Sequence, residues 1–166
     1  MGLRRKAREA ALQLLYQVEF EDGQGEDGRR GYWSQRRAEE ALREYADLLF
    51  RSVLERREEI DALLRSVSRN WRLERMPVVD RNILRLATVE LLLKETDPAV
   101  VIDEAVEIAR AYSSAESTAF VNGILDALCR QLGTAPAGGG ERTHEPKKRP
   151  AGARKGSRAG GRKKTD

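Results

Sequence analysis

The apolar residues of this chain recur at intervals of three and four from Leu3 to Leu132, and nowhere do they alternate with period two. Three-four spacing gathers apolar side chains on one face of a helix, whereas half-buried strands need alternation. The spacing therefore predicts an all-α fold. Ala7, Ala11, Leu14, Leu15 and Val18 mark a first helix from Leu3 to about Phe20. Glu21 to Ser34 holds four glycines and many charges and reads as a loop, with Ser34 as N-cap of the next helix. Gln35 to about Arg69 reads as continuously helical, and a break near Leu42 to Glu44 would relieve its unusual length. Asn70 to Met76, with Trp71, is a connection. Pro77 suits the first turn of a helix running to about Lys94. Thr96-Asp97-Pro98 is a turn or cap before a helix ending near Tyr112. Ser113 with Glu116 is a capping-box pattern for the last helix, which Gly133 stops. Such short helices are marginal alone and require packing of their apolar faces.

Charge divides the chain in two. The formal net charge is +4, but Thr134 to Asp166 contains ten Lys or Arg against three acids, and Met1 to Gly133 contains 21 against 24. Beyond Gly133 the chain is Gly, Ala, Pro, Lys and Arg, too poor in apolar surface to offset its ordering entropy, so it is expected to be disordered. The expected organisation is a helical domain over 1–133 and a basic tail over 134–166. No apolar stretch approaches the roughly 20 residues needed to span a bilayer, and the N-terminus lacks the apolar run of a secretory signal. A cytoplasmic protein with no membrane partner is expected.

Catalytic chemistry finds little support. The only histidine, His144, lies in the tail, which removes a histidine base or triad from the helical part. The only cysteine, Cys129, occupies an apolar helical position and reads as a small core residue. Asp103 and Glu107 stand one turn apart, with Glu104 between them, but carboxylates near a helix start are already favoured by the macrodipole. The reading is no enzyme, no cofactor and no metal site.

Binding chemistry is better represented. Arg4, Arg5, Lys6 and Arg8 crowd the first turns of the first helix, where cations oppose the macrodipole. Either that helix start is solvated and frayed, or an anion is meant to sit there. The tail adds Lys147-Lys148-Arg149, Arg154-Lys155, Arg158 and Arg162-Lys163-Lys164. Such clusters alone fit DNA, RNA or an anionic membrane surface; the tail lacks apolar anchors, which favours nucleic acid, to which charge gives salt-sensitive affinity and aromatic stacking adds grip. The tail also reads as a solubilising appendage.

Four motifs, in order, resemble one family. Arg4-Arg5-Lys6-Ala7-Arg8-Glu9-Ala10-Ala11-Leu12-Gln13-Leu14-Leu15-Tyr16 is similar to the opening of the NusB transcription antitermination factors. Asp80-Arg81-Asn82-Ile83-Leu84-Arg85-Leu86-Ala87 with Glu90-Leu91 resembles their central helix, and Val101-Ile102-Asp103-Glu104-Ala105-Val106-Glu107-Ile108-Ala109 the next. Phe120-Val121-Asn122-Gly123-Ile124-Leu125-Asp126 resembles the closing signature. The resemblance covers most of Arg4 to Leu132 and leaves out the tail.

The resemblance implies two small helical bundles packed together. It implies binding of boxA-type nascent RNA together with NusE, a protein of the small ribosomal subunit. That assembly joins RNA polymerase and suppresses premature termination, notably in ribosomal RNA operons. Family members are monomers or homodimers, so the oligomeric state stays open. The resemblance assigns RNA contacts to Arg4, Arg5, Lys6 and Arg8, and an RNA-facing role to Glu116, Phe120 and Asn122. It puts Tyr16 and Asp80 at the NusE surface. Phe120 can stack a base, yet its spacing with Ile124 equally suits the core. Asp80 also suits the first turn of its helix. Asn122 suits RNA contact or bracing of a backbone group, and Gly123 close helix packing. Glu90 requires a partner if buried, Arg85 being a candidate. The glycine-rich Gly23 to Gly31 departs from the family and implies a shortened helix after the first loop. The alternative function is an RNA-targeting or protein-binding scaffold without boxA specificity.

Overall fold

In the computed structural model, residues 2–20 and 25–134 are described. They form seven α-helices and no strand: α1 Leu3–Phe20, α2 Gly25–Ser34, α3 Glu40–Glu55, α4 Arg57–Val67, α5 Val78–Leu93, α6 Pro98–Tyr112 and α7 Ala115–Leu132. A single 3-10 turn, Leu73–Arg75, precedes α5. The expected disorder of 134–166 concerns residues that lie, except for Thr134, outside the described ones.

The axis of the molecule is α5. Every residue from Asn82 to Leu91 is buried, so this helix is covered nearly all round. It packs against α1, α3, α4, α6 and α7. The result is two small bundles that share α5 and one continuous apolar core. Phe50, Leu14, Leu49, Ile60, Leu84 and Leu125 are among its fully buried side chains. Cys129 is buried there too.

Of the caps expected beyond α5, those at Asp97 and Gly133 are present and one is displaced. Asp97 caps α6, accepting from the Ala99 N–H at 2.8 Å, with Pro98 in the first turn. The cap of α7 is Ser114, which accepts from the Ser117 N–H, and not Ser113. Gly133 ends α7 in the left-handed region at φ 70°, and the Thr134 N–H closes on the Cys129 carbonyl at 2.9 Å. Lys94 takes the same left-handed region after α5 at φ 58°, where glycine is the usual residue.

Three sequence expectations are corrected. The segment expected as a loop contains α2, because Tyr32 and Trp33 are buried and tied to neighbours. Trp33 Nε1 donates to Asp47 Oδ1 at 2.7 Å, and Tyr32 Oη donates to Gln13 Oε1 at 2.7 Å. Ser34 is thus the end of a helix and caps nothing after it. The long helix expected from Gln35 starts only at Glu40 and breaks at Arg56, not near Leu42. The break coincides with a change of partner, since α3 packs on α1 and α5 while α4 packs on α5 and α7. Gly123 is exposed, and a Cβ there would meet nothing within 4 Å, so close packing does not explain it.

Candidate nucleic-acid interface

The basic cluster at the start of α1 is sorted by depth. Helical periodicity turns Ala7, Ala11 and Leu14 into the core, and Arg8 goes in with them. Arg8 Nε lies 3.0 Å from both oxygens of Glu90, and Nη2 lies 2.8 Å from Oε1. Tyr45 Oη donates to the same Oε1 at 2.5 Å. Glu90 therefore has its cation in Arg8, whereas Arg85, the candidate from sequence, is held by Asp61 at 2.8 and 3.0 Å. Burial, followed by the hydrogen bond to Glu90, pushes the Tyr45 phenol up.

Arg5 sits at the rim. Its Nε and Nη2 donate to Glu104 Oε2 and Oε1 at 2.7 and 2.8 Å, a two-toothed pair. The hydrogen bond from Arg5 holds the Glu104 carboxyl below its ordinary range. Arg4 is exposed. Its Nη1 donates to Thr96 Oγ1 at 3.1 Å, and its guanidinium lies 4.7 Å from the centre of the Tyr45 ring. Lys6 is exposed and in no ion pair among the described residues. Of the four expected RNA contacts, three thus reach the surface, and Arg8 supports them from beneath.

A second feature lies where the connection before α5 meets the start of α7. Trp71 is 62% exposed and meets Phe120 edge to face, with ring centres 5.3 Å apart. A cleft of about 260 Å³ opens beside them, walled by Met76, Pro77, Glu116 and Ser117. Arg69, Arg72 and Arg75 are exposed along the same connection. Sequence reasoning placed Phe120 here but passed over Trp71 and its arginines. The signal was a tryptophan among three arginines in a short connection between helices. Glu116 and Asn122 are exposed on α7, and Asn122 Nδ2 donates to Asp126 at 3.3 Å.

The two residues expected at a NusE surface part company. Tyr16 is 48% exposed and its ring lies 4.9 Å from that of Phe20, itself 66% exposed, tilted by 55°. Asp80 is only 3% exposed and accepts from Ser113 Oγ at 2.6 Å and Ser117 Oγ at 2.7 Å. It fastens the start of α5 to the junction of α6 and α7. A carboxylate so satisfied offers little to a partner.

No group of three or more His, Cys, Asp or Glu among the described residues is placed to hold a metal ion. Glu104 belongs to Arg5 and Glu107 to Arg110. No helix among the described residues is long and apolar enough to cross a membrane.

Fold and surface together define an all-helical, two-bundle module with a cationic helix start and an exposed aromatic cleft. The NusB family model matches residues 5–130, and the chain belongs to that family. It is 50% identical over 129 residues to the transcription antitermination protein NusB of Trichlorobacter lovleyi, covering 77% of this chain and 91% of the relative. It is 44% identical over 133 residues to the NusB of Koribacter versatilis, covering 79% and 91%. Among solved structures, T. maritima NusB superposes with TM-score 0.69 at 39% identity, covering 77% of this chain and 91% of that one. A chain of the complex of antitermination factors NusB and NusE with dsRNA superposes with TM-score 0.71 at 27% identity, covering 79% and 98%.

Proposed function

We propose that this chain is a noncatalytic, cytoplasmic RNA-binding transcription antitermination factor, which engages boxA-type nascent RNA together with NusE and helps RNA polymerase pass premature terminators. Family membership over residues 5–130 is the observation that carries the reading. The likeness to the NusB and NusE complex with dsRNA supports RNA and NusE as its partners. On this chain, Arg4, Arg5 and Lys6 contact phosphate, and Arg8 holds the helix that presents them. Phosphate contacts position the RNA while stacking and base contacts grip and specify it. Trp71 with Phe120 provides the stacking surface, Arg69, Arg72 and Arg75 the charge around it, and Glu116 and Asn122 the polar rim. Tyr16 with Phe20 forms the protein-facing patch, and Asp80 shapes the aromatic cleft from within.

That exposed aromatic pair also favours a second reading, a scaffold that binds protein without boxA preference. Binding of boxA and scrambled RNA, with and without NusE, separates the two. The full chain and a version ending at Thr134 are both used. A boxA preference that survives truncation and sharpens with NusE supports the first reading. Equal binding of both RNAs in every combination overturns it in favour of the scaffold.

A further inference from the structure

We propose that Glu104 is an internal competitor for RNA phosphate at Arg5, so that this arginine is a conditional contact. The proposal deepens the RNA-binding reading and rests on it.

The Nε–Nη2 edge of a guanidinium is one of its two edges that can take a phosphate in a two-toothed contact. Glu104 occupies that edge of Arg5 with both carboxylate oxygens, at 2.7 and 2.8 Å. The pair is not sealed. The Arg5 side chain is 34% exposed and that of Glu104 19%, so a phosphate can reach the guanidinium. Arg8, held by Glu90, is only 5% exposed and cannot make the same exchange. Release of Arg5 does not strand Glu104, because Arg8 Nη1 already stands 3.7 Å from its Oε2. The exchange has a small barrier in charge terms: one carboxylate leaves one guanidinium and keeps another.

The consequence is discrimination. A polyanion that merely drifts onto the start of α1 meets Arg4 and Lys6, with Arg5 already neutralised. An RNA held elsewhere on the surface as well keeps its backbone beside Arg5 long enough to displace Glu104. Specific RNA thus gains a contact that nonspecific RNA rarely completes. The carboxylate also damps the response to salt, since the charge it recovers on release offsets part of the charge lost by the RNA.

The test is Glu104→Gln in the full chain, with binding of boxA and scrambled RNA measured across a salt series. Removing the competing carboxylate should tighten scrambled-RNA binding by about one-and-a-half to fivefold, the range typical of a pair at the surface. The slope of log K against log salt should steepen by up to about 0.7, the share of one single-strand phosphate. The preference for boxA should narrow. Adding Arg5→Ala to Glu104→Gln should abolish the gain. Weaker binding in Glu104→Gln would make Glu104 a prop for Arg5 and overturn the proposal, as would unchanged affinity and slope. Glu104→Asp, which keeps the charge but shortens its reach, should fall between wild type and Glu104→Gln, and it serves if the glutamine variant melts early. Wild-type protein that binds neither RNA would overturn the RNA reading itself. Wild-type binding that is indifferent to Glu104 overturns only the competitor.

Discussion

At the scale of residues, Arg5 and Arg8 stand one turn apart on α1 and have different tasks. Arg8 is buried against Glu90, and removing one partner of a buried pair leaves the other charge uncompensated. Arg8→Ala should therefore cost about 3 to 5 kcal/mol in urea unfolding, with any effect on RNA following from the fold. A loss under about 1 kcal/mol would show that Glu90 is satisfied by Tyr45 alone. Arg5 is different, because its pair lies at the rim. The Glu104 carboxyl is depressed by the hydrogen bond from Arg5. A depressed carboxyl contributes stability above its unfolded value near 4.5, and that contribution is lost as pH falls through the folded value. Melting temperature followed from pH 6 downward should drop less steeply below 4.5 in Glu104→Gln than in wild type. Parallel curves would show that the pair contributes nothing to folding.

At the scale of elements, α2 and α7 carry opposite lessons about glycine. Glycines weaken α2 as an isolated helix, yet burial of Tyr32 and Trp33 and the bond from Trp33 to Asp47 hold it in place. Gly123 interrupts α7 on an open face, where a methyl group meets nothing within 4 Å. Gly123→Ala should accordingly stabilise the protein by about 0.5 to 1 kcal/mol. Thermal or urea unfolding checks this, and a destabilised variant would mean that the free helix does not present Gly123 as described. The division of the predicted long helix at Arg56 has a related cause. A single straight helix could not pack on both α1 and α7, and the bend lets α3 and α4 each meet a different neighbour.

At the scale of the whole molecule, α5 sets the distance between the two features proposed to meet RNA. Glu90 anchors the start of α1, and Asp80, ten positions earlier, borders the aromatic cleft. A rise of 1.5 Å per residue separates those anchors by about 15 Å, so on the proposed reading the two features act as independent contacts along one ligand. Arg4→Ala and Trp71→Ala should weaken RNA binding additively, within about 0.5 kcal/mol, and only Arg4→Ala should reduce the salt slope. A large coupling between them would mean that both act on one nucleotide or through a shared rearrangement.

Much of this was legible along the chain. Three-four spacing is a local property, so the helices, the Asp97 cap and the Gly133 stop could be read from neighbours in sequence, and four motifs carried the family. What the spacing could not show was which charged residue meets which. Arg8 and Glu90 are 82 positions apart, Arg5 and Glu104 are 99, and Trp71 finds Phe120 across two helices. Before folding, Arg4, Arg5, Lys6 and Arg8 are four similar cations. Burial and partner choice arise only when α1 docks on α5 and α6, and that docking divides them into surface contacts, a restrained arginine and a buried support. The same holds for Asp80 and α2, whose positions depend on partners that lie close only in the packed molecule.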